Sequence, residues 1–299
     1  MPWLRDDSRP SCRVAGRLAR SPALQLAGAH RSAATGGPLS SSSDTDRPVG
    51  KVKPVLFYVG SFPVRAYSLF LLLGMGAGFL ALRREWQEAG LRPGAIYGFG
   101  AGAILAGLVG GRLGYLLLHA GDATAPGPTL RLGQGGGEAA WGALIALLAW
   151  SWAYSRRAGV SVGDFFDLLA PPAALAEGVM RWGCLLNGCC YGRETTDLGL
   201  YLPNLNGQWA FRYPTQVLYS AVGLGLFALL WTGRKKKPFA GFLALLYLIL
   251  YSASRLGIGF LRGDYATPMH QAVSLSLDLA ILAVGVSWMA WQVRQLHKL

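Results

Sequence analysis

Arg181 and Arg255 each sit inside a stretch apolar enough to cross a bilayer. A cation there costs about 2.5 to 3.5 kcal/mol on insertion scales, so its retention points to function. At roughly 100° per residue, Tyr251, Arg255 and Arg262 fall within about 40° of one another and form one polar stripe; Arg112, Tyr115 and His119 make a similar one. Guanidinium is the cation best matched to phosphate oxygens, because its planar fork donates two hydrogen bonds at once. A cavity lined by several such groups suits a phospholipid headgroup. The plainer reading is that an arginine only binds loop carbonyls or snorkels to the interface. It weighs as much as the functional one for Arg112 and Arg262, near span ends, and less for the deeper Arg181 and Arg255.

The segment around Arg181, RWGCLLNGCCYGRE, carries the densest chemistry. Gly183, Gly188 and Gly192 permit close backbone approach or positive φ, and Asn187 offers an amide in apolar surroundings. Glu177 precedes Arg181 by one helical turn, the favourable order for an ion pair. Cys184, Cys189 and Cys190 read first as small packing residues. Cys-x4-Cys-Cys is not a structural zinc spacing and no histidine is near in sequence, so no metal is expected. A disulfide from Cys184 to one of the pair stays open if the loop faces an oxidising compartment.

These residues need a membrane scaffold, and the composition supplies one. The chain is 52% hydrophobic and 14% charged, against about 25% charged in a soluble domain. Its net charge of +13 does not argue for nucleic acid, since the basic residues cluster in the N-terminal stretch and in short loops beside apolar runs, where anionic lipid is the simpler partner. Roughly seven spans are predicted, over about 66–82, 94–118, 139–155, 163–187, 214–232, 239–261 and 272–291, giving an all-α polytopic integral membrane protein. Asp164, Asp167, Pro171, Pro172 and Glu177 interrupt the fourth span and predict a broken helix, tolerable only where protein or a cavity covers the freed backbone.

Basic loops follow alternate spans: Arg83, Arg84 and Arg92; Arg156 and Arg157; Arg234 to Lys237; Arg294 and Lys298. Positive-inside logic puts the C-terminus in the cytoplasm and the N-terminus outside, although Lys51, Lys53 and the arginines before them oppose it. Residues 1–50, rich in Arg, Ser, Pro and Gly, read as a disordered tail or a misassigned start, leaving 51–299 as the membrane domain.

Several ordered motifs resemble the prolipoprotein diacylglyceryl transferase family from about Val55 to Trp291. VLFYVGSFPVRAYSLFLLLG is similar to the family's first span with its entry tyrosine, here Tyr67, and GGRLGYLLLH to the second-span Gly-Gly-Arg-x-Gly-Tyr motif. RWGCLLNGCCYGR resembles the signature Gly-Arg-x-Gly-Asn-x-x-Asn-x-Glu-x-x-Gly; RYPTQVLYS resembles His-Pro-Ser-Gln-Leu-Tyr-Glu; and YSASRLGIGFLR resembles Tyr-x-x-x-Arg-x-x-x-Glu-x-x-Arg.

The resemblance implies a multi-pass enzyme of the bacterial cytoplasmic membrane. Such an enzyme moves the diacylglyceryl group of phosphatidylglycerol onto the lipobox cysteine thiol of a preprolipoprotein and releases glycerol phosphate, with no metal, nucleotide or other cofactor. It assigns Arg181 and Arg255 to the phosphate, Tyr67 and Tyr251 to the headgroup or glycerol, and Asn187 with Gly192 to the shape of the site. Arg112 and Arg262 complete the lipid-binding set, and Arg181, Arg255 and Tyr251 are the catalytic candidates.

The chain departs from the family pattern at several places. Trp141 stands for the third-span His, Cys184 for the first signature Asn, Cys189 for its Glu, Tyr213 for the His before Pro214, and Gly259 for the Glu after Arg255. Two rival readings follow: a paralogue acting on a different phospholipid or thiol, or a transporter of an anionic solute.

Overall fold

The computed structural model describes residues 55–118, 137–265, 267–296 and 298. The N-terminal stretch and His119 lie outside the described residues. A short hairpin opens the description, β1 (Val55–Val59) pairing antiparallel with β2 (Phe62–Arg65). Seven helices follow: α1 (Ala66–Glu88), α2 (Ala95–Leu118), α3 (Gly137–Ala158), α4 (Val162–Asn187), then α5 (Thr215–Gly233), α6 (Phe242–Gly259) and α7 (Pro268–Leu296). A second antiparallel hairpin, β3 (Leu200–Pro203) with β4 (Trp209–Arg212), sits between α4 and α5.

The seven helices fall on the seven predicted spans. Five of them, α1, α2, α5, α6 and α7, are long and apolar enough to cross a membrane. Large apolar side chains such as Leu72, Leu108, Leu117 and Val284 are exposed along them, as expected where lipid replaces water as the solvent. The protein is therefore a helical, polytopic membrane protein. The two hairpins are additions to the all-α expectation, and residues 55–65, just ahead of the predicted first span, are strand and turn.

α4 is the central element and packs against α1, α5 and α6. Contrary to the break expected at Pro171 and Pro172, it is one helix of 26 residues with both prolines inside. The segment survives because Ala170, Pro171, Pro172 and Ala174 are buried against neighbouring helices, which cover the backbone that proline leaves unpaired. Helices approach closely where side chains are absent: a Cβ on Gly223 would lie 2.8 Å from the Cα of Gly178, so α4 and α5 meet backbone to backbone.

Two of the three acidic residues that interrupt the fourth span, Asp164 and Asp167, serve the fold. Ser161 caps α4, its hydroxyl accepting from the Asp164 N–H at 3.1 Å. Asp167, 2% exposed, accepts from the N–H groups of Gly241 at 2.9 Å and Ala244 at 3.0 Å, satisfying the first turn of α6. Lys237 bridges Asp164 and Asp167. Burial opposes its charge, but the Asp164 hydrogen bond and the charge of Asp167 outweigh that and raise its pKa above the ordinary lysine value.

Arg234 pairs with Glu85 at 2.7 Å and Glu88 at 3.1 Å, tying the end of α1 to the α5–α6 turn. An aromatic core of Trp86, Phe99 and Phe165, with Tyr154 against it, fills the same end of the bundle.

Candidate functional site

The last three turns of α4 carry the polar centre. Glu177 and Arg181 share one helix face, and the guanidinium donates to the Glu177 carboxylate at 2.6 Å. Tyr247 and Tyr251, stacked on one face of α6 with ring centroids 5.5 Å apart, both donate their hydroxyls to Glu177. Arg181 also donates to the Tyr251 hydroxyl at 3.3 Å and lies 4.3 Å from the ring centroid of Tyr219 on α5. The cation is only 9% exposed. It is held by a carboxylate and an aromatic face, the two partners that make a buried guanidinium tolerable. Its Nε–H has no acceptor among the described residues. A donor that is buried, charged and unsatisfied is a place for a ligand oxygen.

One helical turn beyond Tyr251, Arg255 donates from Nε to Asp278 of α7 at 2.9 Å and from Nη2 to Ser274 at 3.5 Å. Asp278 is 4% exposed and orients the guanidinium from one side. Arg181 thus touches both Tyr219 and Tyr251, and Arg255 follows Tyr251 on the same helix.

α4 ends where Gly188 adopts φ 72°, a left-handed C-cap. The chain then turns through Cys189 and Cys190, the latter at φ 56° without being glycine. Two buried side chains at the start of α5 hold this turn: the Thr215 hydroxyl donates to the Cys190 carbonyl at 2.7 Å, and the Gln216 amide donates to the Cys189 carbonyl at 2.9 Å. Cys184, Cys189 and Cys190 are free thiols, and their sulfurs all lie within 4.8 Å of one another. Arg181 Nη1 is 3.9 Å from the Cys190 sulfur.

Gly192 forms a β-bridge with Arg262. A Cβ there would overlap the Tyr213 carbonyl, which is why no larger residue fits.

Of the residues singled out in the sequence, the structure joins Arg181 directly to Tyr251 and sets Arg255 on the next turn. Tyr67 borders the same part of α4: a Cβ on Gly183 would lie 3.2 Å from the Tyr67 Cα. Asn187 is the final residue of α4. Arg262 is not part of the α6 stripe, because the helix ends at Gly259; it is held instead by Asp264 through two hydrogen bonds of 2.8 Å each. Arg112 lies on α2, 5.4 Å from the Tyr115 ring centroid, on a helix that packs chiefly against α3.

Tyr219, Tyr247, Asp278, Thr215 and Gln216 were not singled out. Asp278 had a signal, being an acid within an apolar span. Thr215, Gln216 and Tyr219 lie within the RYPTQVLYS motif, but their contacts, like those of Tyr247, come only from the tertiary fold.

A family model described as prolipoprotein diacylglyceryl transferase matches residues 54–291. Similar proteins carry the name phosphatidylglycerol–prolipoprotein diacylglyceryl transferase, three of them as follows. The one from Dehalococcoides mccartyi is 35% identical over 249 residues, covering 78% of this chain and 92% of its own. The Gloeobacter violaceus protein is 33% identical over 251 residues, 79% of this chain and 92% of its own. The Clostridium tetani protein is 31% identical over 218 residues, 71% of this chain and 86% of its own.

Proposed function

This chain belongs to the prolipoprotein diacylglyceryl transferase family, and on that premise we propose that it transfers the diacylglyceryl group of phosphatidylglycerol to the lipobox cysteine thiol of a preprolipoprotein. In this reading the acceptor sulfur attacks the glycerol carbon that bears the phosphate ester, and glycerol phosphate leaves. The observation that carries it is the buried Arg181, whose Nε–H lacks an acceptor among the described residues, with a second oriented guanidinium, Arg255, one helical turn beyond its partner Tyr251. Fixed positive charge in a water-poor site stabilises a phosphate-bearing leaving group more than it could in water.

Tyr251 fixes Arg181 and contacts the headgroup with Tyr67, while Asn187 and Gly192 shape the floor. Arg262 and Arg112 serve lipid binding at the margins. An open groove of about 540 Å³ between α5 and α6, lined by Leu218, Val222, Gly257 and Ile258, borders the turn of α6 that carries Arg255. Its apolar walls suit an acyl chain.

The reading includes seven spans in a bacterial cytoplasmic membrane, N-terminus outside and C-terminus in the cytoplasm. The pairing of Arg234 with Glu85 and Glu88, and of Lys237 with Asp164, supports one face for the ends of α1 and α5 and the start of α4. Residues 51–299 are the working domain, and a chain shortened to begin near Val49 is expected to act as the full one does.

Expression in a bacterium depleted of its own transferase tests the function. Diacylglyceryl-modified lipoproteins should reappear; accumulation of unmodified precursors with this protein present in the membrane contradicts it.

A further inference from the structure

The transferase reading needs a thiolate, because the thiol itself is a poor nucleophile. Glu177 is the carboxylate nearest Arg181, and it is already committed to Arg181, Tyr247 and Tyr251. The other group beside Arg181 is the cysteine cluster, in which Cys190 accepts from Arg181 and the Cys189 thiol is 3.7 Å from the Cys184 carbonyl. Its three sulfurs lie within 4.8 Å of one another. Three thiolates around one zinc ion, each at about 2.3 Å, stand about 3.8 Å apart, so only a small closure of the cluster is required.

The backbone is already fixed for it. Cys190 keeps a left-handed φ of 56° that non-glycine residues rarely adopt. Thr215 and Gln216 pin both carbonyls of the Cys189–Cys190 turn from α5. The charge also fits: three thiolates and a divalent ion leave one negative charge, and Arg181 is 3.9 Å from the Cys190 sulfur.

We propose that Cys184, Cys189 and Cys190 hold one zinc ion whose fourth position takes the sulfur of the acceptor cysteine. The inference rests on the transferase reading for its acceptor. Zinc sites with three protein ligands keep one position for substrate, and a coordinated thiol is deprotonated outright. The acceptor S–H proton passes to water as the Zn–S bond forms. That sulfur then forms the C–S bond to the glycerol carbon, the C–O bond to phosphate breaks, and its electron pair leaves on the phosphate oxygen. No net oxidation or reduction occurs. The glycerol phosphate carries away the added negative charge, which Arg181 and Arg255 face.

The test uses the full chain in detergent, stripped by a chelator and titrated with cobalt(II), which reports thiolate coordination by its absorption. One equivalent should bind with a sulfur-to-cobalt charge-transfer band, displaced by zinc and weakened at least tenfold in affinity by Cys184→Ser, Cys189→Ser or Cys190→Ser. A lipobox peptide bearing cysteine should alter the band, and the same peptide bearing serine should not. Absence of the band, or a band indifferent to the cysteine peptide, overturns the proposal whether or not the protein transfers lipid. Thioether formation that proceeds undiminished in the stripped protein or in the three serine variants overturns it as well. Cobalt binding that responds to the peptide, without any transfer from phosphatidylglycerol in the zinc-loaded protein, upholds the thiol site and places the failure in the choice of lipid donor.

Discussion

Glu177 and Arg181 form an ion pair of 2.6 Å between two side chains that are each about nine-tenths buried, one turn apart on the helix at the centre of the bundle. The pair is shared: two tyrosine hydroxyls from α6 close on the same carboxylate. It therefore locks α4 to α6 as well as holding the cation in place.

Removing the acid should strand that cation. Breaking a buried pair by deleting one partner costs about 3–5 kcal/mol, so Glu177→Ala should lower the thermal midpoint of the purified protein sharply, with Glu177→Gln intermediate. A midpoint equal to the wild type would show that Arg181 is compensated elsewhere.

Arg255 should behave differently, because lysine can still pair with Asp278. Arg255→Lys keeps the charge and loses the planar fork. The expected loss is about 2.7 to 4 kcal/mol in transition-state stabilisation, by analogy with removal of one oxyanion donor, or roughly a hundredfold to a thousandfold in kcat. Thermal stability should change little. Full activity in this variant would refute the oriented role of the guanidinium.

Gly192 is a steric test of the site floor. A Cβ there would overlap the Tyr213 carbonyl, so Gly192→Ala must push apart the segment that bridges to Arg262. Overpacking of this kind costs about 1–3 kcal/mol. Turnover of phosphatidylglycerol should fall in proportion to the displaced geometry, and wild-type kinetics would mean that the loop moves freely.

Labelling tests the orientation. In a variant lacking native thiols, Lys236→Cys in the α5–α6 turn should react only with membrane-permeant reagent in intact cells. Asn206→Cys, in the turn of the β3–β4 hairpin, should react with impermeant reagent. The reverse pattern would invert the topology.

Much of the scaffold was legible because a bilayer imposes a simple rule: each span must be a long apolar helix, and basic residues mark its ends. The observed α2 and α5 differ from their predicted bounds by a residue. The sequence misled where a local rule met a tertiary one. Pro171 and Pro172 suggested a break, yet burial among neighbouring helices keeps α4 whole. Asp164 and Asp167 read as interruptions of the span, yet Asp164 pairs with Lys237 beside the Ser161 cap and Asp167 caps α6. The β3–β4 hairpin went unpredicted, although its turn, Asn204 to Gly207, carries an Asn and a Gly that favour one.

At the site, the Glu177–Arg181 pair was readable because it lies within one helix. The Arg255–Asp278 pair joins α6 to α7, and sequence spacing gives no information about which helices touch. The same limit hid the convergence of three sulfurs, two of which look like an incidental Cys-Cys.

The central claim is a transfer of lipid to sulfur, and its most direct measurement is the mass of an acceptor peptide. Protein purified in detergent without chelator, mixed with phosphatidylglycerol and a lipobox peptide, should yield peptide heavier by one diacylglyceryl group on its cysteine, with glycerol phosphate released in equal amount. A serine-for-cysteine peptide should remain unmodified. Binding of phosphatidylglycerol with no thioether product would contradict the account and leave a lipid-binding protein in its place.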